Sequence, residues 1–169
     1  LVNNVAPVST LEIYDKSFEH GVGVSAFGMT EAGGVICYGD VDDSLEKRLN
    51  SCGKSFPGIE VRISNPEIPG EVLGANQKGE IQIRGYSLFE GYYKDEEATQ
   101  NAMTDDGWYR SGDLGALDED GYLSYLGRWK DMLKIGGENV AALEIESHIN
   151  TYPDVILSQV VGIEDERYD

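Results

Sequence analysis

Arg128, Lys130 and Lys134 fall within one seven-residue stretch of a chain whose formal charge is −18. A guanidinium can fork onto two oxygens while ammonium groups act as point charges, so the cluster invites an anionic ligand. Gly136-Gly137 follow directly, and residues without side chains let a ligand or a second backbone come close. The same residues also suit a solvated strand edge with a glycine turn behind it. Far upstream, Phe27-Gly28-Met29-Thr30-Glu31 sets a hydroxyl beside a carboxylate. The hydroxyl can bond a phosphoryl oxygen, the carboxylate can hold Mg²⁺ and Phe27 can stack on a base, a combination that suits a nucleotide. An ordinary loop is the competing reading. In Trp108-Tyr109-Arg110-Ser111-Gly112-Asp113 an Asp follows a Ser-Gly turn. It can accept both hydroxyls of a ribose diol, or simply cap the turn.

The elements that must position these groups can be read from periodicity. Ser9 with Glu12 has capping-box spacing, and Leu11, Tyr14 and Phe18 repeat at helical intervals up to His20-Gly21. Val22 to Phe27 reads as a buried strand, so Thr30-Glu31 lies on the loop beyond its carboxyl end, where open α/β sheets gather ligands. A short helix is expected over Asp42 to Asn50. From Gly53 onward, Pro and Gly punctuate short strands such as Glu60 to Ile63 and the alternating Glu80 to Arg84. Asp95 is placed to cap a helix over Glu96 to Met103. Asp118-Glu119-Asp120-Gly121 separates two strand-like runs as a hairpin turn does. After Gly127 the pattern is strand, helix and a last strand near Val155 to Ile163, which puts a domain boundary at Gly127 to Lys130.

Composition narrows the function. With 40% hydrophobic and 9% aromatic residues the chain is globular, and ten tyrosines against four phenylalanines suit strands and half-wet pockets. Thirteen Lys plus Arg face 31 Asp plus Glu, which argues against nucleic acid or an anionic membrane as partner. Cys37 and Cys52 form no C-x-x-C and have no partnering histidines, so a reducing, cytoplasmic setting is expected, with a single disulfide as the alternative. His20 and His148 are too far apart in sequence to support a zinc site. No run is long and apolar enough for a membrane span.

Taken together, the order and spacing of the three stretches resemble the acyl-adenylate-forming superfamily, which includes AMP-forming acyl-CoA synthetases, peptide synthetase adenylation domains and luciferases. The likeness runs from about Ala6-Pro7 to the last residue. It takes in Gly79-Glu80-Ile81 through Gly91-Tyr92-Tyr93-Lys94 and Glu97-Ala98-Thr99. Lys134-Ile135-Gly136-Gly137-Glu138-Asn139-Val140 looks most like the CoA ligases. The resemblance implies a mixed α/β fold: the end of a large nucleotide-binding domain over residues 1–127, then the start of a small mobile α+β domain over 128–169. Within the first, residues 1–52 would be a helix and strand unit carrying the ATP loop. Residues 53–127 would be an antiparallel, β-barrel-like subdomain.

By the same resemblance the co-substrates are ATP with Mg²⁺, CoA and a fatty or other hydrophobic carboxylic acid; the alternatives are an adenylation domain that loads a carrier protein and a non-catalytic remnant serving as a binding module. Phe27 and Gly28 would meet the adenine, Thr30 the α-phosphate and Glu31 the Mg²⁺. Asp113 would grip the ribose, helped by Arg128, and Lys130 would be the hinge. Gly136 and Gly137 would flank the pantetheine arm of CoA, with Lys134 nearby. Four departures stand out. The family's Ser/Thr/Gly-rich phosphate loop and its C-terminal lysine are absent from these 169 residues. Phe27 stands where Tyr is more frequent, and Asn3-Asn4 stand where small residues are usual. The chain, which starts without Met, therefore reads as part of a longer enzyme and as inactive in adenylation by itself.

Overall fold

The computed structural model describes residues 2–4, 13–14, 16–136 and 138–163. Of the expected first helix, residues 13, 14, 16 and 17 are helical, and its proposed cap at Ser9 lies outside the described residues. The first sheet has the order β1 (Val2–Asn4), β2 (Val24–Met29), β3 (Gly34–Tyr38), β4 (Lys54–Ser55). β1 runs parallel to β2, and the other pairs are antiparallel. The buried run of β2 comes from its small and β-branched residues: Val24, Ser25, Ala26 and Phe27 are all buried. Helix α1 (Leu45–Asn50) starts later than its periodicity predicts. The Ser44 side chain accepts from Lys47 N and sets its first turn there.

The second sheet is an antiparallel meander of β5 (Ile59–Ser64), β6 (Gly79–Gly85), β7 (Tyr109–Leu117) and β8 (Leu123–Arg128). It stays open, with no closed barrel among the described residues. Ile59, Ile63, Ile81 and Ile83 point alternately inward and join Phe27, Ile36, Cys37, Cys52, Tyr109 and Leu123 in one core. Cys52 N donates to Leu123 O at 2.7 Å and Leu123 N to Gly53 O at 2.9 Å, which ties the two sheets together. Alternation in β6 predicts one wet face, yet Glu80 and Gln82 are buried too. The Trp108 ring lies under the guanidinium groups of Arg62 and Arg84, at 4.3 and 4.5 Å. Arg62 Nε also donates to Gln82 Oε1 at 2.8 Å, and Arg110 Nε to Glu80 Oε2 at 3.2 Å, which satisfies the buried polar groups of β6.

Helix α2 (Glu96–Asn101) is capped as expected, with Ala98 N donating to Asp95 Oδ1 at 2.9 Å. The 118–121 turn is closed by its first residue, because Asp118 Oδ1 accepts from Asp120 N and Tyr122 N. After a 3₁₀ turn at Trp129–Asp131 come a hairpin of β9 (Met132–Ile135) and β10 (Glu138–Ala141), then α3 (Ala142–Ile149). The strand expected near 155–163 does not form among the described residues. Its backbone finds a side chain instead of a neighbouring strand: Val160 N donates to the Glu146 carboxylate at 2.8 Å.

Candidate functional site

The β2 strand delivers the first group of residues. A register shift between Phe27 and Gly28 forms a bulge against β3, and a Cβ on Gly28 would stand 1.9 Å from Gly34 O. Strand packing alone therefore demands glycine at 28. The strand ends in a 3₁₀ turn, Thr30–Ala32, closed by Gly33 in the left-handed region at φ 77°. Thr30 is exposed and Glu31 half-buried on this turn. The Tyr92 hydroxyl donates to Glu31 Oε1 at 3.1 Å, and Glu31 O accepts from Phe89 N at 2.8 Å.

The second group comes from the β7–β8 ladder, where Asp113 and Arg128 are direct cross-strand partners. Arg128 Nε lies 2.9 Å from Asp113 Oδ1, but the carboxylate side chain is 4% exposed and the guanidinium side chain 51%. Oδ1 completes no hydrogen bond among the described residues. Burial pushes the Asp113 carboxyl up to about 6, Arg128 pulls against that, and the negative charges of Glu31 and Glu80 add to it. Ser111 fixes the local backbone, accepting from Asp113 N at 3.0 Å and donating to Ile81 O at 2.7 Å.

These groups share one hollow. A cavity of about 730 Å³ is lined by Phe27, Gly28, Asp113, Tyr125, Arg128 and Lys130, and α3 contributes to its other side through Leu143 and Glu146. That volume suits a nucleotide-sized ligand. The Phe27 ring is 3% exposed and sits 5.8 Å from Tyr125, so it belongs to the core as well as to the cavity wall. Thr30 and Glu31 do not line the cavity, and neither do Tyr92, which bonds Glu31, and Tyr109, whose hydroxyl is 3.4 Å from that of Tyr92. Lys134 and Gly136 also stand apart, on the exposed β9–β10 hairpin, with Gly136 at φ 60° in its turn. Gly137 lies outside the described residues.

Two aromatic residues were missed by the sequence reading. Tyr125 belongs to the alternation of β8, two positions from the cross-strand partner of Leu114, and that register would have placed it beside the cavity. Tyr92 has no such signal, because a long loop carries it to Glu31.

The AMP-binding enzyme family matches residues 2–93. The chain belongs to this family. Among its relatives, YngI of Bacillus subtilis (strain 168), provisionally named an acyl-CoA synthetase, is 44% identical over 143 residues, covering 85% of this chain and 26% of YngI. The ATP-bound structure of MatB from Rhodopseudomonas palustris superposes with a TM-score of 0.88 at 34% identity, over 99% of this chain and 33% of MatB. The o-succinylbenzoate CoA synthetase MenE of Bacillus subtilis, in complex with its acyl-adenylate intermediate, gives 0.85 at 32% identity over 99% of this chain and 33% of MenE. The chain thus spans about a quarter of the curated relative and a third of each solved AMP-binding enzyme. No helix among the described residues is long and apolar enough to cross a membrane.

Proposed function

We propose that these residues form the nucleotide-gripping part of an ATP-dependent acid–thiol ligase. In the first half-reaction a carboxylate attacks the α-phosphate of ATP, giving an acyl-AMP and pyrophosphate. In the second, the thiol of CoA displaces AMP and leaves the acyl-CoA. A carboxylate alone is a poor acyl donor, since its charge repels nucleophiles and oxide is a bad leaving group. The mixed anhydride removes both obstacles. The observation that carries this reading is Asp113: a buried carboxylate on the wall of a nucleotide-sized cavity, its Oδ1 ion-paired with Arg128 but completing no hydrogen bond among the described residues. The ATP bound to MatB and the acyl-adenylate bound to MenE support the same chemistry.

In this reading Asp113 accepts the ribose hydroxyls. Arg128 balances the carboxylate and reaches the ribose and phosphate, and Phe27 and Gly28 face the base. Thr30 donates its hydroxyl to the α-phosphate as charge gathers there. Glu31 would hold Mg²⁺, which when bound neutralises phosphate charge. The residues fit that ion. Glu31 Oε1 is already oriented by Tyr92, while Oε2 has no hydrogen-bond partner among the described residues. No cluster of three or more ligating side chains surrounds it among them. Mg²⁺ commonly takes one or two carboxylates and fills its remaining positions with phosphate oxygens and water.

Lys130, in the short turn between β8 and β9, serves as the hinge between a large domain ending at Gly127 and a small mobile one starting at Arg128. Gly136 and Gly137 let the pantetheine arm pass, with Lys134 beside it. The acid is a fatty or otherwise hydrophobic carboxylic acid.

The test is pyrophosphate exchange with a panel of carboxylic acids, run on the complete polypeptide, followed by mass analysis of the product with CoA. Acid-dependent exchange and a CoA thioester are expected, with Asp113→Ala lowering exchange about 100-fold. An acyl group delivered only to a carrier protein would replace CoA as acceptor. Failure of every acid to support exchange would overturn the reading. The 169 residues expressed alone are expected to show no exchange.

A further inference from the structure

The stretch from Gly91 to Thr99 stands out in the sequence, yet no role above uses it. In the structure it is built around one tyrosine. Tyr92 N donates to Thr99 Oγ1 at 2.9 Å, and Thr99 Oγ1 donates in turn to Asp95 O at 2.8 Å. Gly91 permits this approach, since a Cβ there would stand 2.8 Å from Thr99 Cγ2. Phe89 packs edge-to-face on Tyr92 (4.8 Å, 72°) and on Tyr109 (5.6 Å, 89°). The backbone N–H of Phe89 meanwhile bonds Glu31 O. The loop is therefore fastened to α2 on one side and to the Thr30–Ala32 turn on the other.

The hydroxyls then have only one consistent order. Each phenol has a single proton to give. Tyr92 gives its proton to Glu31 Oε1, so across the 3.4 Å gap Tyr109 must be the donor and Tyr92 the acceptor. The result is a directed relay from Tyr109 through Tyr92 to one oxygen of Glu31, and each bond polarises the next. A half-buried glutamate without such a bond keeps rotation about its last bonds. The relay removes that freedom at Oε1 and leaves Oε2 without a hydrogen bond among the described residues.

We propose that Tyr92 is a positioning residue: its hydroxyl fixes the Glu31 carboxylate so that a single oxygen meets the divalent cation carried by ATP. The proposal deepens the reading of Glu31 given above and rests on it. Tyr92 itself touches neither nucleotide nor metal.

Calorimetric titration of ATP into the complete polypeptide, at a series of Mg²⁺ concentrations and without Mg²⁺, tests it. Tyr92→Phe keeps the ring and its packing and removes only the hydroxyl. It should raise the Mg²⁺ concentration for half-maximal enhancement of ATP binding about fivefold, and leave binding of metal-free ATP and of AMP unchanged. Glu31→Gln should abolish the enhancement. If Glu31→Gln does so while Tyr92→Phe changes nothing, the positioning role is wrong and the role of Glu31 stands. If Glu31→Gln leaves the enhancement intact, the reading of Glu31 fails and takes the inference with it. Equal weakening of metal-free and metal-bound ATP by Tyr92→Phe would mark a purely structural tyrosine and also overturn the proposal. Should Tyr92→Phe fold poorly, Tyr109→Phe, which removes the relay's first donor, should shift the same midpoint about twofold. No shift there would count against the relay.

Discussion

Asp113 and Arg128 face each other across the β7–β8 ladder with Oδ1 and Nε 2.9 Å apart, yet the carboxylate is buried and the guanidinium half in solvent. The pair is unequal. Arg128 can solvate without its partner, whereas Asp113 without Arg128 is a buried charge left alone. Oδ1 completes no hydrogen bond among the described residues, so in the proposed reading the carboxylate still has acceptor capacity to give to a ribose hydroxyl once the ligand is bound.

Burial raises the Asp113 carboxyl from its ordinary 3.8 to about 6 in the folded chain. The native state therefore holds an extra proton between those values, and its stability falls as pH rises from about 4 to about 6. Asp113→Asn removes that slope. The variant should be more stable than the parent by about 1–2 kcal/mol at pH 7.5 and no more stable at pH 4. Urea titrations at the two pH values read this directly. A parent whose stability rises through the window would contradict it.

The same titration acts on binding. In the proposed role ionised Asp113 accepts two ribose hydroxyls, and the protonated acid has less acceptor capacity. AMP affinity should decline as pH drops below about 6, approaching a tenfold loss per pH unit. Arg128→Ala should move the midpoint of that decline upward, since the cation that favours the charged form is gone. Fluorescence or calorimetric Kd values from pH 5 to 8 decide the matter, and a flat profile excludes Asp113 as the ribose acceptor.

Gly28→Ala separates packing from ligand contact. The added methyl would collide with Gly34 O at 1.9 Å and with Val35 Cα at 2.7 Å, and backbone atoms cannot step aside as a side chain can. A loss of about 2–4 kcal/mol in urea unfolding is expected. Gly112→Ala, where nothing lies within 4 Å but φ is +69°, should lose only about 1 kcal/mol from the left-handed backbone.

The strands of the second sheet were legible because Ile59, Ile63, Ile81 and Ile83 alternate cleanly, and Asp95 announced its helix by type and spacing. The nearness of Phe27, Asp113 and Arg128 came from resemblance, since no local pattern reports which strand lies beside which. Three features escaped for physical reasons. The polar face of β6 is held by arginines of the neighbouring strands, Arg62 on Gln82 and Arg110 on Glu80, non-local contacts that alternation cannot foresee. The segment near 155–163 has strand-like composition, but a strand also needs a neighbour. Tyr92 reaches Glu31 across a sequence separation of 61, a distance at which neither periodicity nor spacing carries information.

The cysteines supply a last measurement, because Cys37 is the cross-strand partner of Phe27 at the cavity wall. Cys37 and Cys52 are 1% and 3% exposed, and burial pushes their thiols up to about 12 and about 11. At pH 8 the thiolate fractions are on the order of 10⁻⁴ and 10⁻³, and the thiolate is the reacting form. Native protein should therefore resist a thiol reagent, and both groups should react at once in urea. Slow native labelling then reports opening of the first sheet. A ligand that binds only the closed form suppresses opening by the factor 1 + [L]/Kd. AMP at 100 times its Kd should slow labelling about 100-fold, and Asp113→Ala should remove most of that protection. Rapid labelling of the native chain would show that the β2–β3 core is looser than its burial implies. Protection by AMP that survives Asp113→Ala would move the nucleotide to a different surface.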